Sequence, residues 1–372
     1  MNERTPKLLS TCDVGSAEVE ACAPAAIPCS GRPLLSCSMP TAAQADAWRG
    51  PAKRPVPSAW RQLTVLAIAF AGCVCSAGAA HASDVTHRFL ACGQETYIMD
   101  ESGNKEWSYP HSTRDGFVLA DGTVLLTLSK SKKYPGGAVV RIQANGEESL
   151  LWRGTQAEVN SVHPTAEGTF VLTEAGPKPR LLELDATGKT IQEFPLACQL
   201  ENHHMQTRMA RKEADGTYLV PHLLDFAVFQ YGEDGTVLSK IDTTVAGDAQ
   251  HAIHSWPFTG IRHDDGQTLV CCTHANRVVD FDSTGKVHWQ LTNEDLPGEW
   301  LQDPCGGQLL PNGNIVVTSY AGGQKDPQAP KLIEVNRDKK VVWTHSDGQK
   351  HGIHHFQILS TNGTPLEGPV LK

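Results

Sequence analysis

The stretch TFVLTEAGPKPRLLELDATGKTIQEF, residues 169–194, carries the pattern that decides the fold. It follows Glu167-Gly168, opens as an apolar run of strand composition, turns again at Gly188 and reaches an aromatic, Phe194. Gly after Asp, Asn or Glu between two such runs marks a hairpin, because the turn needs positive φ. The layout recurs along the chain. Asp121-Gly122, Glu167-Gly168, Asp215-Gly216, Asp265-Gly266, Asn312-Gly313 and Asn362-Gly363 set their glycines 46, 48, 50, 47 and 50 residues apart. Between them falls a second series, Gly103, Gly146, Gly188, Gly235 and Gly285, with Asp338 in the sixth place. Trp107, Trp152, Phe194, Trp289 and Trp343 follow these turns, and Ile241 stands in the fourth unit.

Each unit of about 47 residues therefore holds two hairpin turns and four strand-like runs, with TVLLTLS, TYLVPHL, TLVCCTH and NIVVTSY as regular examples. Six units of four antiparallel strands imply an all-β fold, a six-bladed β-propeller. A pair of sandwiches would not keep a constant period, and a solenoid would repeat more often. LDATGKTIQEF (184–194) and FDSTGKVHW (281–289) resemble the Asp, Thr-Gly-Lys and Trp signature of the PQQ-like propeller repeat of exported bacterial proteins. YIMDESGNKEW (97–107) and LIEVNRDKKVVW (332–343) are looser copies. The resemblance spans about 85–372 and implies that the signature joins the third and fourth strands of a blade. HRFLACG (87–93) is then a second strand with no first, and HHFQILSTNG (354–363) a first strand with no second. The two ends complete one blade and close the ring.

The whole chain has 372 residues, 32 Lys+Arg against 41 Asp+Glu, 33 Gly and 23 Pro. The acidic balance argues against nucleic acid as a partner, since phosphate binding needs a basic surface. Residues 1–50 read as a disordered leader or a start assigned too far upstream. Residues 51–82 read as a signal peptide: a basic flank (Arg49, Lys53, Arg54, Arg61), an apolar run from Leu63 and an Ala80-His81-Ala82 site. Phe70-Ala71-Gly72-Cys73 offers a lipid anchor instead, and an uncleaved run could span a bilayer. Each reading exports the propeller, 83–372, to the periplasm or beyond, with no membrane span unless the signal is retained. That part carries 25 basic and 36 acidic residues, a net charge of −11. Its five cysteines, Cys92, Cys198, Cys271, Cys272 and Cys305, are not a disulfide framework. Tandem Cys271-Cys272 in a strand reads as two small buried hydrophobes.

Of the 15 histidines after the signal, 11 are expected on one face. His111, His163, His203, His204, His251, His254, His351, His354 and His355 fall at the start of predicted inner strands, with His222 and His274 in turns that open on the same side. Lys130, Lys132, Lys133, Lys178, Arg180 and Arg277 share these loops, and Arg208 and Arg262 are placed early in inner strands. A His/Arg/Lys-rich mouth on an acidic protein suits a small anionic or sugar-like ligand, a small molecule or glycan. His351-x-x-His354-His355 and His251-x-x-His254 also have the spacing of metal ligands, although loops fix no geometry. No PQQ or calcium residues of the quinoprotein dehydrogenases can be placed. The family resemblance further implies two alternatives: sulfuryl transfer by a channel histidine, as in arylsulfotransferase-like proteins, and a non-enzymatic scaffold for another envelope protein.

Overall fold

The computed structural model describes residues 84–246 and 254–372; the stretches read from sequence as a leader (1–50) and a signal peptide (51–82) lie outside the described residues. Twenty-four strands among the described residues form six four-stranded antiparallel blades. Blade 1 runs outward as Ile353–Thr361, His87–Gly93, Thr96–Met99 and Lys105–Tyr109, and so joins the two ends as expected. Blade 2 is Thr113–Val118, Val124–Leu128, Ala138–Ile142 and Glu148–Arg153; blade 3 is Glu158–Pro164, Phe170–Ala175, Arg180–Leu184 and Thr190–Pro195. Blade 4 is Arg211–Lys212, Tyr218–His222, Ala227–Tyr231 and Val237–Asp242; blade 5 is Ser255–Arg262, Thr268–His274, Arg277–Phe281 and Val287–Leu291. Gly307–Leu309, Ile315–Thr318, Leu332–Val335 and Val341–His345 make blade 6. The inner strand of blade 1 meets those of blades 2 and 6, which closes the ring. We call upper the face carrying the links from each outer strand to the next inner strand, and lower the face carrying the two hairpin series.

The turn chemistry read from sequence is what builds the lower face. The six glycines of the first series take φ between +78° and +86°. In the signature turns the Asp side chain gathers the orphan amides: Asp185 Oδ1 accepts from the N–H of Thr187 at 2.8 Å and of Lys189 at 3.0 Å, and Asp282 does the same for Thr284 and Lys286. In the sixth unit the glycine's place belongs to Lys339 (φ +63°), one residue after the expected Asp338, because Asn336 is the residue that caps the turn. Two substitutions separate conformational strain from crowding. Gly146 (φ +85°) has open space around it, whereas a Cβ on Gly188 (φ +88°) would collide with the carbonyl oxygen of Leu151 in the neighbouring blade. Gly146→Ala should cost about 1–2 kcal/mol, the left-handed penalty alone. Gly188→Ala should cost clearly more in urea unfolding, because blade 2 must also move.

The hydrophobic core is divided into six seams between blades. Between blades 4 and 5, Leu219, Val228 and Ile241 face Val270, Cys272 and Phe281; between 5 and 6, Ile261 and Cys271 face Ile315 and Ile333. The tandem cysteines thus point to opposite sides of one strand, as period-2 alternation requires, and all five described cysteines are free thiols. The recurrent tryptophans tie seams together: Trp152 Nε1 donates to Glu174 of blade 3 and Trp289 Nε1 to the carbonyl of Arg337 in blade 6, both at 3.0 Å.

One element was not legible in the sequence. After Asn362-Gly363 the two-residue strand Thr364–Pro365 folds back on the axis side of 353–361, and the segment to Lys372 crosses the lower mouth. Lys372 ends on the axis, 1% exposed.

Candidate functional site at the upper channel mouth

The upper mouth is assembled from the first residues of several inner strands. Glu158 opens that of blade 3, and its carboxylate, 2% exposed, holds two cations and an imidazole. Arg114 Nη2 donates at 3.1 Å, Lys130 Nζ at 2.7 Å and His204 Nδ1 stands at 3.1 Å. Burial alone would raise the Glu158 pKa, but His204, Arg114 and Lys130 together hold it well below the usual carboxylate range.

Arg208 has no such partner. It lies in the approach to the blade 4 inner strand, 3% exposed, and forms no ion pair among the described residues. Nη1 donates to the Thr207 carbonyl at 2.7 Å, while Nε is buried without any acceptor. The guanidinium sits 5.3 Å from the centre of the Phe258 ring. Burial and the nearby Arg114 charge pull its pKa down to about 9, so it remains a cation at neutral pH. Beyond Phe258 the ring of His354 stacks at 6.0 Å, and Tyr320 covers its other side at 4.2 Å, nearly parallel. Burial, with Arg114 and Arg208 beside it, pushes His354 down to about 3; it is a neutral imidazole whose Nδ1 has no partner. Met209, Phe258, Cys305 and Tyr320 form an apolar lining around these groups. The arrangement offers a desolvated positive charge, a neutral imidazole and an aromatic wall within one mouth.

The structure brings His204, Arg208 and His354 together here, and adds Arg114, Glu158, Phe258 and Tyr320, which the sequence did not single out as ligand-binding. His203 lies half-buried in the short turn beside His204. His111 is exposed on the rim against Tyr109. His254 packs edge-on to His274 at 4.8 Å near Trp256, further round the same face. His251 falls outside the described residues. His351 sits in the seam between blades 6 and 1, its Nε2 2.6 Å from Asp347, whose other oxygen takes Lys331. The His351-x-x-His354 spacing therefore separates its two rings. Among the described residues no three His, Cys, Asp or Glu side chains are grouped to hold a metal ion.

Three expected positions need correction. His163 is the sixth residue of Glu158–Pro164, not the start of an inner strand, so it lies toward the lower mouth, where Nδ1 accepts from the Lys212 N–H at 2.9 Å. Arg262 likewise ends its strand and donates to the carbonyl of Gly266 in a lower turn. The blade 3 inner strand begins about five residues earlier than expected, through Glu158, Asn160 and Ser161, which do not look like strand; that of blade 5 begins at Ser255, beside His254 as expected, and Arg262 is its last residue. His355 is buried on the axis below the mouth, beside Asp115. His222 is on the expected face but buried, stacked on Phe229 and bonded to Asp225 and Tyr231. Two open hollows, of about 620 Å³ at Arg141 on the lower rim and 440 Å³ at Trp300 on the upper rim, lie away from the axial cations.

No protein-family model and no curated protein matches the chain. Among solved structures it is similar to a protein of unknown function from Bacteroides caccae, at 20% identity and a TM-score of 0.61, over 73% of this chain and 98% of that one. It also matches a virginiamycin B lyase from Staphylococcus aureus with quinupristin, at 13% identity and 0.48, over 71% and 85% of the two chains. These likenesses concern the propeller fold. No helix among the described residues is long and apolar enough to cross a membrane.

Proposed function

We propose that this chain is an exported propeller that binds a small anionic ligand with a sugar-like or other compact body at the upper channel mouth. One observation carries the reading: Arg208 is a buried cation that makes no ion-pair contact among the described residues, the Glu158 carboxylate acting on it only from a distance while it is held by Arg114, Lys130 and His204. Removing a guanidinium from water without a counter-ion costs several kcal/mol. A ligand anion offsets that cost, and the unpartnered nitrogens of Arg208 and His354 give it hydrogen bonds. Tyr320 and Phe258 supply the apolar contact that fixes orientation. Export rests on the sequence ahead of the propeller, and lineage on the PQQ-like turn signature; neither requires the quinone.

Arg208→Met tests the reading because stability and binding should move in opposite directions. Without ligand the variant should be about 1–2 kcal/mol more stable in urea, since an unpaired buried charge gives way to an apolar chain of similar length. Titration calorimetry with sulfate, phosphate and glucuronate should show binding to the parent and none to the variant. Parent protein that binds none of these anions, or a variant that binds them equally well, overturns the reading. Running the same proteins with 4-nitrophenyl sulfate and a phenol acceptor separates binding from sulfuryl transfer by release of 4-nitrophenol.

A further inference from the structure

The segment after the last hairpin has no counterpart in the other five blades, and it is held as a ligand would be. Leu366 N–H donates to the Leu359 carbonyl at 3.0 Å. Residues 367–370 cross the lower mouth exposed to solvent. Leu371 pairs with Leu309 of blade 6 as an isolated antiparallel bridge, its carbonyl accepting from the Leu309 N–H at 2.9 Å. Lys372 then turns into the axis. Its Nζ donates to Asp115 Oδ1 at 3.1 Å, stands 3.1 Å from His355 Nδ1 and lies 3.9 Å from the centre of the Phe117 ring. Its backbone oxygen accepts from Arg211 Nε at 2.6 Å.

A carboxylate, an imidazole nitrogen acting as acceptor and an aromatic face are the three partners that recognise an ammonium group. His355 accepts at Nδ1 in the neutral tautomer protonated at Nε2, in which Nδ1 also takes the Phe356 N–H at 3.0 Å, and burial together with the Lys372 charge keeps its pKa well below the ordinary value. The backbone contact is one bridge of the strand-addition kind: after a bend at Gly368 (φ +89°), Leu371 adds to the inner edge of Gly307–Leu309 while the Lys372 side chain enters a pocket. We propose that the lower channel is a recognition site for a peptide segment bearing a primary ammonium, and that residues 366–372 fill it in cis. Tethering gives the segment a millimolar-range effective concentration, so it closes the lower mouth and leaves the upper mouth as the route to the axis. The site is separate from Arg208 and stands whether or not that mouth binds anions.

The test removes the tail and returns it in trans. A chain ending at Pro365 should bind a fluorescently labelled peptide of the sequence LEGPVLK saturably, and the intact chain should not. Replacing the peptide's lysine by norleucine, or adding Asp115→Asn to the truncated chain, should weaken binding at least tenfold. Equal binding by intact and truncated chains, absence of binding to the folded truncated chain, or equal affinity of the norleucine peptide overturns the proposal. A second measurement needs no truncation. In intact Lys372→Met, hydrogen exchange at the Leu309 amide should accelerate at least tenfold, while the Val316 and Val317 amides of the adjacent strand keep their protection. An unchanged Leu309 rate overturns the proposal as well.

Discussion

Lowering the pH from 7.5 to 5.5 should cost this protein at least about 2 kcal/mol of stability in urea unfolding. The reason is a set of imidazoles that the fold keeps neutral. Burial is the main cause in each: His163 and His354 are pushed down to about 3, His345 to about 4, and His355 well below its ordinary value. The unfolded chain protonates all four near pH 6.5 and the folded chain does not, so the unfolded state binds more protons and gains as the pH falls. His163, His345 and His354 contribute about 1.4 kcal/mol each over those two pH units, and His355 acts in the same direction. Glu213 works in the other direction. Burial raises it to about 7, so the folded state takes up its proton first and recovers about 2 kcal/mol over the same interval. Below about pH 4 the carboxylates of Asp115, Glu158 and Asp347, all held low by cations, add to the loss. A stability that is flat or rises between pH 7.5 and 5.5 would mean that these rings are solvated in solution.

Asp115→Ala should destabilise the propeller by about 3–5 kcal/mol, as expected when one partner of a buried charge group is removed. Asp115 lies in the inner strand of blade 2, fully buried. Oδ2 accepts from Arg211 Nη1 at 3.0 Å and from the Val162 N–H at 3.3 Å; Oδ1 accepts from Lys372 Nζ and from the Gly116 N–H. The contacts join blades 2, 3 and 4 and the tail. Without the carboxylate, Arg211 and Lys372 remain as two mutually repelling cations in a dry axis. Asp115→Ala combined with Lys372→Met should recover a substantial part of the loss, because one of the stranded charges is gone. If the single variant unfolds within about 1 kcal/mol of the parent, the axis is wetter than the buried ion group requires.

The architecture was legible because its determinants are local and repeat. Asp185 and Gly188, or Asp282 and Gly285, act within five residues of each other, and the strands they join alternate with period 2. The inner strands were not legible at their starts. EVNSVHP, Glu158–Pro164, looks polar, yet its middle is buried because its polar groups find partners in the next strand and in neighbouring blades. Asn160 bonds Thr207 and Ser161 bonds Thr173, pairings that only the folded blades create. That is why the sequence alone puts His163 at the upper mouth. The same non-locality hid the site. Glu158 meets Lys130 and His204 across three segments, and the isolation of Arg208 is a property of what surrounds it, invisible in the order of residues. Lys372 was hidden for a related reason: a short tail without strand pattern finds its place only against a finished axis.

The blade shared by the two ends has a consequence for how the molecule comes into being. The strands 87–93 and 353–361 pair across about 260 residues, and bringing such distant points together carries an entropy cost of about 5 kcal/mol. No earlier hairpin can complete that ladder, so the ring remains an open arc until the strand at 353–361 has been synthesised and, if exported, has crossed the membrane. Synthesis of that last strand therefore sets the earliest moment of assembly, and a ribosome-stalled chain ending before residue 353 should be a protease-sensitive arc rather than a smaller propeller.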